Sequence, residues 1–309
     1  MRPSVWLIAG PTASGKSGLA LRLAQAMDAE IVNADSMQLY ADLSVLTARP
    51  SPADLACAPH HLYGVADASE AWSVGRWLRA ARDVLDGVAS RDRSALIVGG
   101  TGLYFQALTS GLADIPGVPA QVRDATSARL EAQGETEFRA ALAIGDPQSA
   151  ARIQAGDRQR LIRAASVLEA TGRRLSAWRG RTLPMLAPGD YRSVVLDPPR
   201  AALYTRCNLR LQTMLTRGAL EEVASLLSRG LPPELPAMKA LGVREFGRHL
   251  QAGRPLDAAL AEGQLQTRRY AKRQSTWFRN QTPDWPRVRE VQPEEQWAAL
   301  LNLQQAASA

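Results

Sequence analysis

The sequence predicts an α/β chain in which helices flank a parallel sheet and an all-helical stretch interrupts the sheet. Three observations carry this. Four short apolar runs read as strands buried on both faces: Val5 to Ala9, Glu30 to Ala34, Ala95 to Val98 and Ser193 to Leu196. Helical patterns lie between them, as from Trp72 to Val88, where Val74, Trp77, Leu78, Ala81, Leu85 and Val88 share one side. From Pro116 to about Leu186 no strand-like run occurs, and arginine-bearing helical patterns are punctuated by Gly134, Gly145-Asp146-Pro147 and Gly156-Asp157. The expected domains are residues 1–115, the first part of the core, 116–187, the helical insertion, and 188–309, the second part of the core.

The first strand runs into Gly10-Pro11-Thr12-Ala13-Ser14-Gly15-Lys16-Ser17, the G-x-x-x-x-G-K-S phosphate-cradling loop. After it, Leu19, Leu23 and Met27 recur every four residues, as an amphipathic helix requires. Strand, loop and helix together make the core phosphate-loop NTPase-like. The loop amides and the helix N-terminus face an anion. Lys16 supplies a point charge, and the Ser17 hydroxyl suits Mg²⁺. The loop does not say which phosphates it holds, because a nucleotide and an alkyl diphosphate look alike to backbone amides.

The second strand ends at Asp35-Ser36-Met37-Gln38. Ligands of open α/β sheets bind beyond the carboxyl ends of strands, so Asp35 belongs at the mouth of the site. Its structural alternative is a cap or Asx-turn. Pro50 to His61 reads as a loop, and the adjacent His60 and His61 do not make a two-histidine metal site. The third strand ends in Gly99-Gly100-Thr101-Gly102, where an ordinary ATPase carries an Asp for Mg²⁺. Tyr204 to Leu227 reads as one helix bearing Arg206, Arg210 and Arg217. Thr267 to Asn280 interleaves cations with aromatics, as nucleic-acid surfaces do, and Arg269, Lys272, Arg273 and Thr276 share a helix face. From Pro293 a short surface helix and a frayed tail are expected.

Composition bounds the rest. Hydrophobic residues make up 46% of 309 residues, enough for a proper core. No apolar run spans a bilayer. Met1-Arg2-Pro3-Ser4 leads straight into the first strand, so no signal peptide is expected. Cys57 and Cys207 stand far apart, which disfavours a disulfide framework or zinc site and points to a reducing, cytoplasmic setting. The net charge of +7 fits either an arginine-rich proteome or a polyanionic partner.

Taken in order, G-P-T-A-S-G-K-S, N-A-D-S-M-Q-x-Y, H-H-L, V-G-G-T-G-L-Y, D-x-x-R-x-x-R-A, M-x-A-L-G-V-R-E and T-R-R-Y-A-K-R-Q-x-T-W-F-R resemble the bacterial tRNA dimethylallyltransferases, also called tRNA isopentenyltransferases. The resemblance runs to about Asn280. It departs at Leu46-Thr47-Ala48-Arg49-Pro50, where the family usually has G-T-A-K-P, and it lacks the zinc-finger tail of eukaryotic relatives. It implies a monomer that moves a dimethylallyl group from dimethylallyl diphosphate to the adenosine 3′ of the tRNA anticodon, with Mg²⁺.

The resemblance implies that Gly10, Pro11, Thr12, Ala13, Ser14, Gly15, Lys16 and Ser17 hold the diphosphate, with Arg206 or Arg210 reaching it from the far side. Asp35 is the expected base, Lys16 and Thr101 assist, and Ser17 and Thr101 are the metal candidates. The tRNA contacts implied are Asp35, Ser36, Met37, Gln38, Thr101 and Arg123; Gln159, Arg160, Leu161, Ile162 and Arg163; Lys239, Ala240, Leu241, Gly242, Val243 and Arg244; and Lys272, Arg273, Gln274, Ser275, Thr276, Trp277, Phe278 and Arg279. The rivals are a small-molecule kinase using ATP, a prenyltransferase of free AMP or ADP, and a non-catalytic nucleotide-sensing RNA-binding protein. The basic C-terminal block argues against the first two, because a mononucleotide needs no such surface.

Overall fold

The strands Val5–Ala9 (β1), Glu30–Asn33 (β2), His60–His61 (β3), Ala95–Gly99 (β4), Tyr191–Leu196 (β5) and Arg287–Val288 (β6) form one parallel sheet in the order β3-β2-β4-β1-β5-β6. These come from a computed structural model, which describes residues 4–113, 115–178 and 182–306. Met1 to Pro3 and the last three residues of the expected tail lie outside the described residues.

The strand alternation sorts the core into two layers. Leu7, Ala9, Val32 and Ile97 point to one face, which is filled by Trp77, Tyr104, Phe105 and Phe278. Trp6, Ile8, Ile31, Leu96 and Val98 point to the other, against Leu19, Leu23 and Leu300. Both faces are therefore covered, which is why the strands read as unbroken apolar runs.

The helices follow in chain order: Lys16–Met27 (α1), Pro52–Cys57 (α2), Val74–Ser90 (α3), Gly102–Ser110 (α4), Ala120–Gly145 (α5), Pro147–Arg152 (α6), Arg158–Thr171 (α7), Arg200–Thr216 (α8), Ala219–Ser228 (α9), Val243–Ala252 (α10), Leu256–Gln281 (α11) and Pro293–Ala306 (α12). Three expectations need correction. The Pro50 to His61 segment holds α2 and β3 rather than loop alone. Its start is a capping box, with Ser51 N donating to Asp54 Oδ2 at 2.8 Å and Asp54 N to Ser51 Oγ at 3.2 Å. The single helix expected from Tyr204 to Leu227 is broken between α8 and α9, where Gly218 takes φ 96°. Finally, α12 is not merely a surface helix: Leu300 and Gln296 are buried.

Residues 110–184 form a compact unit of their own, separate from the unit that holds the sheet. Leu130, Phe138, Leu142, Leu161 and Ala164 make its core. Asp146 organises it, accepting from Ser149 N and Oγ and from Ser176 N and Oγ at 2.6 to 3.1 Å. Burial pushes its carboxyl pKa up, but these four donors outweigh burial and hold it at about 2.

Candidate functional site

The sequence Gly-Pro-Thr-Ala-Ser-Gly folds back between β1 and α1 because its backbone takes left-handed turns at Ala13 (φ 63°) and Gly15 (φ 100°). Gly10 has no room for a side chain: a Cβ there would stand 2.7 Å from the Leu196 carbonyl oxygen. Lys16 opens α1 and is buried, and its Nζ donates to the Pro11 carbonyl at 3.2 Å. Burial lowers its pKa to about 8; the Asp35 carboxylate works against that shift and Arg210 adds to it. Ser14 Oγ is buried and has no hydrogen-bond partner among the described residues. Ser17 is exposed on the first turn of the helix.

Three neighbouring strand ends meet here. The phosphate loop leaves β1, the Gly100–Thr101 turn leaves β4, and Asp35 follows β2. Asn33, fully buried, fixes the backbone of Asp35 at both ends: its Oδ1 accepts from Asp35 N at 2.7 Å, and its Nδ2 donates to Asp35 O at 3.0 Å and to Leu62 O at 2.9 Å. Asp35 Oδ1 accepts from Met37 N at 3.0 Å, so the Asx-turn alternative is realised with one oxygen. Ser36 N donates to Thr101 Oγ1 at 2.9 Å, which joins the β2 and β4 ends. Burial first, and then the Asp35 charge, raises the phenol pKa values of Tyr63, Tyr104 and Tyr270. The Asp35 charge thus acts on three phenols that burial already keeps neutral.

The expected residues divide by position. The Asp35 charge acts on both Lys16 and Arg210, and the Arg210 charge acts on Lys16. Arg210 Nη2 also donates to Thr47 O at 3.2 Å. Arg206, expected to reach the diphosphate from the far side, is spent on backbone carbonyls instead: it donates to Ser14 O at 3.4 Å and to Val291 O. Gln38, expected as a reader of a base edge, gives its amide donor to Thr47 O and Ala48 O, each at 2.9 Å. This pair also sets the course of the Leu46–Pro50 loop, where the sequence departs from G-T-A-K-P. Glu222 completes that loop, its carboxylate accepting from Ser44 N, Val45 N and Leu46 N at 2.6 to 2.9 Å.

On α11 the open side carries Arg269, Lys272, Arg273, Thr276 and Trp277, which line a groove of about 480 Å³. Arg279 is also exposed and Ser275 half-buried. Gln274 and Phe278 are correctly placed in sequence but point inward, Phe278 packing edge-on against Phe105. In the next basic block Ala240 and Val243 are core, Gly242 caps α10 at φ 94°, and Lys239, Leu241 and Arg244 keep some exposure. Arg123, Gln159, Arg160 and Arg163 are exposed on the helical unit, Ile162 is half-buried, and Leu161 is fully buried in that unit's core. A second cavity, of about 230 Å³, lies beside Ser17, Gly18 and Leu21 and is bounded by Gln38, Arg49 and His60.

Four structural roles are not visible in the motifs: those of Asn33, Glu222 and Gln296, and the inward one of Gln274. A polar residue inside an apolar strand signals Asn33. Nothing local signals the others, whose partners lie far away in the chain. Among the described residues no three His, Cys, Asp or Glu cluster as metal ligands. Ser17 still fits Mg²⁺, since that ion takes most of its oxygens from phosphates and water and needs few protein ligands. Thr101 fits less well, its hydroxyl being engaged by Ser36. No described helix is long and apolar enough to cross a membrane.

A family model described as IPP transferase matches residues 38–281, and one described as isopentenyl transferase matches residues 3–62. The tRNA dimethylallyltransferase of a Caulobacter species is 60% identical over 93% of this chain and 93% of its own. That of Phenylobacterium zucineum is 58% identical over 97% of each. Among solved structures, the tRNA isopentenylpyrophosphate transferase of Bacillus halodurans aligns at 28% identity with TM-score 0.68, over 99% of this chain and 96% of that one. A eukaryotic dimethylallyltransferase acting on tRNA aligns at 26% identity with TM-score 0.82, over 99% of this chain and 77% of that one. With one family model spanning most of its length and relatives of such identity along nearly all of it, the chain belongs to the IPP transferase family.

Proposed function

We propose that this chain transfers a dimethylallyl group from dimethylallyl diphosphate to the exocyclic amine of the adenosine 3′ of the anticodon in tRNA. The observation that carries the reading is the meeting of the phosphate loop, Thr101 and Asp35 at three neighbouring strand ends. The loop amides and Lys16 bind the diphosphate, with Arg210 beside them, and oppose the negative charge that grows as the carbon–oxygen bond breaks. The adenosine nitrogen forms the new bond to that carbon, diphosphate leaves, and the amine proton passes to Asp35. The amine lone pair is delocalised into the ring, so a positioned base contributes about a hundredfold or more. Ser17 would hold a Mg²⁺, which would supply further charge neutralisation on the leaving diphosphate.

The base must leave the anticodon-loop stack to reach Asp35, which costs less in a loop than in a duplex. The exposed cations of α11, with Lys239 and Arg244, are the proposed phosphate contacts on this unit. Arg123, Gln159, Arg160 and Arg163 are those on the helical unit. The working form is a cytoplasmic monomer.

The test is a donor exchange. Purified protein and Mg²⁺ are incubated with unmodified tRNA and either dimethylallyl diphosphate or ATP, and the digested nucleosides are weighed. An adenosine heavier by one dimethylallyl group, with the prenyl donor only, is the expected result. No mass change with either donor, together with ATP consumption on small metabolites, overturns the reading in favour of a kinase.

A further inference from the structure

The phosphate loop is backed by the far end of the chain. Gln296, on α12, is 2% exposed, and its Nε2 donates to the Ser14 carbonyl at 3.0 Å and to the Glu290 carbonyl at 2.9 Å. Arg206 spans the same two segments, with Nη1 on Ser14 O at 3.4 Å and Nη2 on Val291 O. Two donors therefore hold the Ser14 carbonyl to the outside of the loop.

A trans peptide sends its N–H opposite to its C=O. No described peptide bond is cis. With the Ser14 carbonyl held outward, the Gly15 N–H points to the inside, where an anion sits on such a loop. The fit is close: a Cβ on Gly15 would stand 2.7 Å from Gln296 Oε1. Residue 296 lies beyond both stretches that the family models match, 38–281 and 3–62.

We propose that Gln296 is a positioning residue for the diphosphate, aiming the Gly15 N–H by holding the Ser14 carbonyl outward. This deepens the function proposed above and rests on it. Without the glutamine the Ser14–Gly15 peptide keeps only the longer Arg206 contact and turns more readily, and a carbonyl facing inward repels the anion.

The experiment uses the full chain and inorganic pyrophosphate as the probe. Gln296→Met keeps the volume and removes the donor, and Gln296→Glu sets a carboxylate against the Ser14 carbonyl. Arg22→Ala is the control, since Arg22 pairs with Glu294 and lies over Trp297 on the same helix without touching the loop. Gln296→Met weakens pyrophosphate about tenfold and Gln296→Glu weakens it further, while tRNA affinity stays within about twofold. Arg22→Ala leaves both affinities near wild type. Wild-type pyrophosphate affinity in Gln296→Met, or an equal loss in Arg22→Ala, overturns the inference alone. A wild-type chain that binds no pyrophosphate overturns the functional reading and the inference with it. On the unaltered chain, the Gly15 amide resonance shifts when pyrophosphate is added; an unmoved resonance overturns the inference whatever the variants do.

Discussion

Gln274 Oε1 accepts from the Thr12 backbone N–H at 2.8 Å, while its Nε2 donates to Gly100 O at 2.8 Å. One buried amide on α11 thus ties the phosphate loop to the turn that bears Thr101. Gly100 has no room for a side chain because Gln274 fills it: a Cβ would lie 2.2 Å from Nε2. Gln274→Leu leaves an N–H and a C=O unpaired, at a cost of about 2–5 kcal/mol for the pair. Donor KM then rises about tenfold or more, and tRNA affinity changes little because the side chain is absent from the open face. Steady-state kinetics with each substrate varied, plus a filter-binding Kd for tRNA, checks this. An equal loss on the tRNA side refutes it.

Arg273 lies next to Gln274 in the chain but on the open side of the helix. Arg273→Ala removes a cation facing a proposed phosphate, together with its contact over the Tyr270 ring, and leaves the Gln274 bonds in place. The tRNA Kd rises while pyrophosphate affinity holds, and the slope of log K against log salt flattens by about one. Salt titrations of both proteins read this directly. Parallel salt plots for variant and wild type show that Arg273 meets no phosphate.

The contrast between these two neighbours marks where the sequence stops being legible. The strands and the phosphate loop were readable because apolar runs and G-x-x-x-x-G-K-S act within a few residues. The basic face of α11 was readable because helical spacing puts Arg269, Lys272, Arg273 and Thr276 on one side. Gln274 and Phe278 lie inside the same basic stretch, and only the tertiary packing turns them inward. Gln296 and Glu222 hold loops 282 and 178 residues away in the chain, and no local pattern encodes such partners. The short β6 and β3 were hidden for a simpler reason: two residues carry no period.

Asn33 does for the end of β2 what Gln274 does for the phosphate loop. It grips the Asp35 backbone at both ends, and its own carbonyl accepts from Trp77 Nε1 at 2.9 Å. If Asp35 is the base, Asn33→Ala misaims it: kcat falls about tenfold to a hundredfold, with tRNA and pyrophosphate affinities retained. Asp35→Asn removes the base itself and loses about a hundredfold or more. The double variant is no worse than Asp35→Asn, because the two residues act as one unit. Losses that multiply in the double variant would separate Asn33 from Asp35.

Glu222 answers for the Leu46–Pro50 loop. Its carboxylate takes three backbone N–H groups and the Ser44 hydroxyl. The loop it holds presents Thr47 O to Arg210. Glu222→Ala strands those donors and costs about 2–3 kcal/mol. Urea unfolding gives the stability loss, and donor KM rises with it as Arg210 loses its anchor. A stability loss with unchanged KM would detach Arg210 from the diphosphate.

Lys16 gives the site a pH dependence whose sign follows from its burial. Its folded pKa is lowered from 10.5 to about 8, so between those values the unfolded chain binds more protons than the folded one. Stability from this group therefore rises with pH through that window and is lowest below it, where a buried ammonium must be kept. Donor binding runs the other way. A diphosphate bound as proposed needs the charged form, so above about pH 8 its affinity falls by up to tenfold per pH unit, and binding takes up a proton. Calorimetry in two buffers of different ionisation enthalpy measures that uptake. Lys16→Met serves as the reference, because it retains any ionisation of the donor itself and loses the lysine's. A wild-type affinity that tracks Lys16→Met between about pH 7 and about pH 9.5 would show that Lys16 does not titrate against the diphosphate.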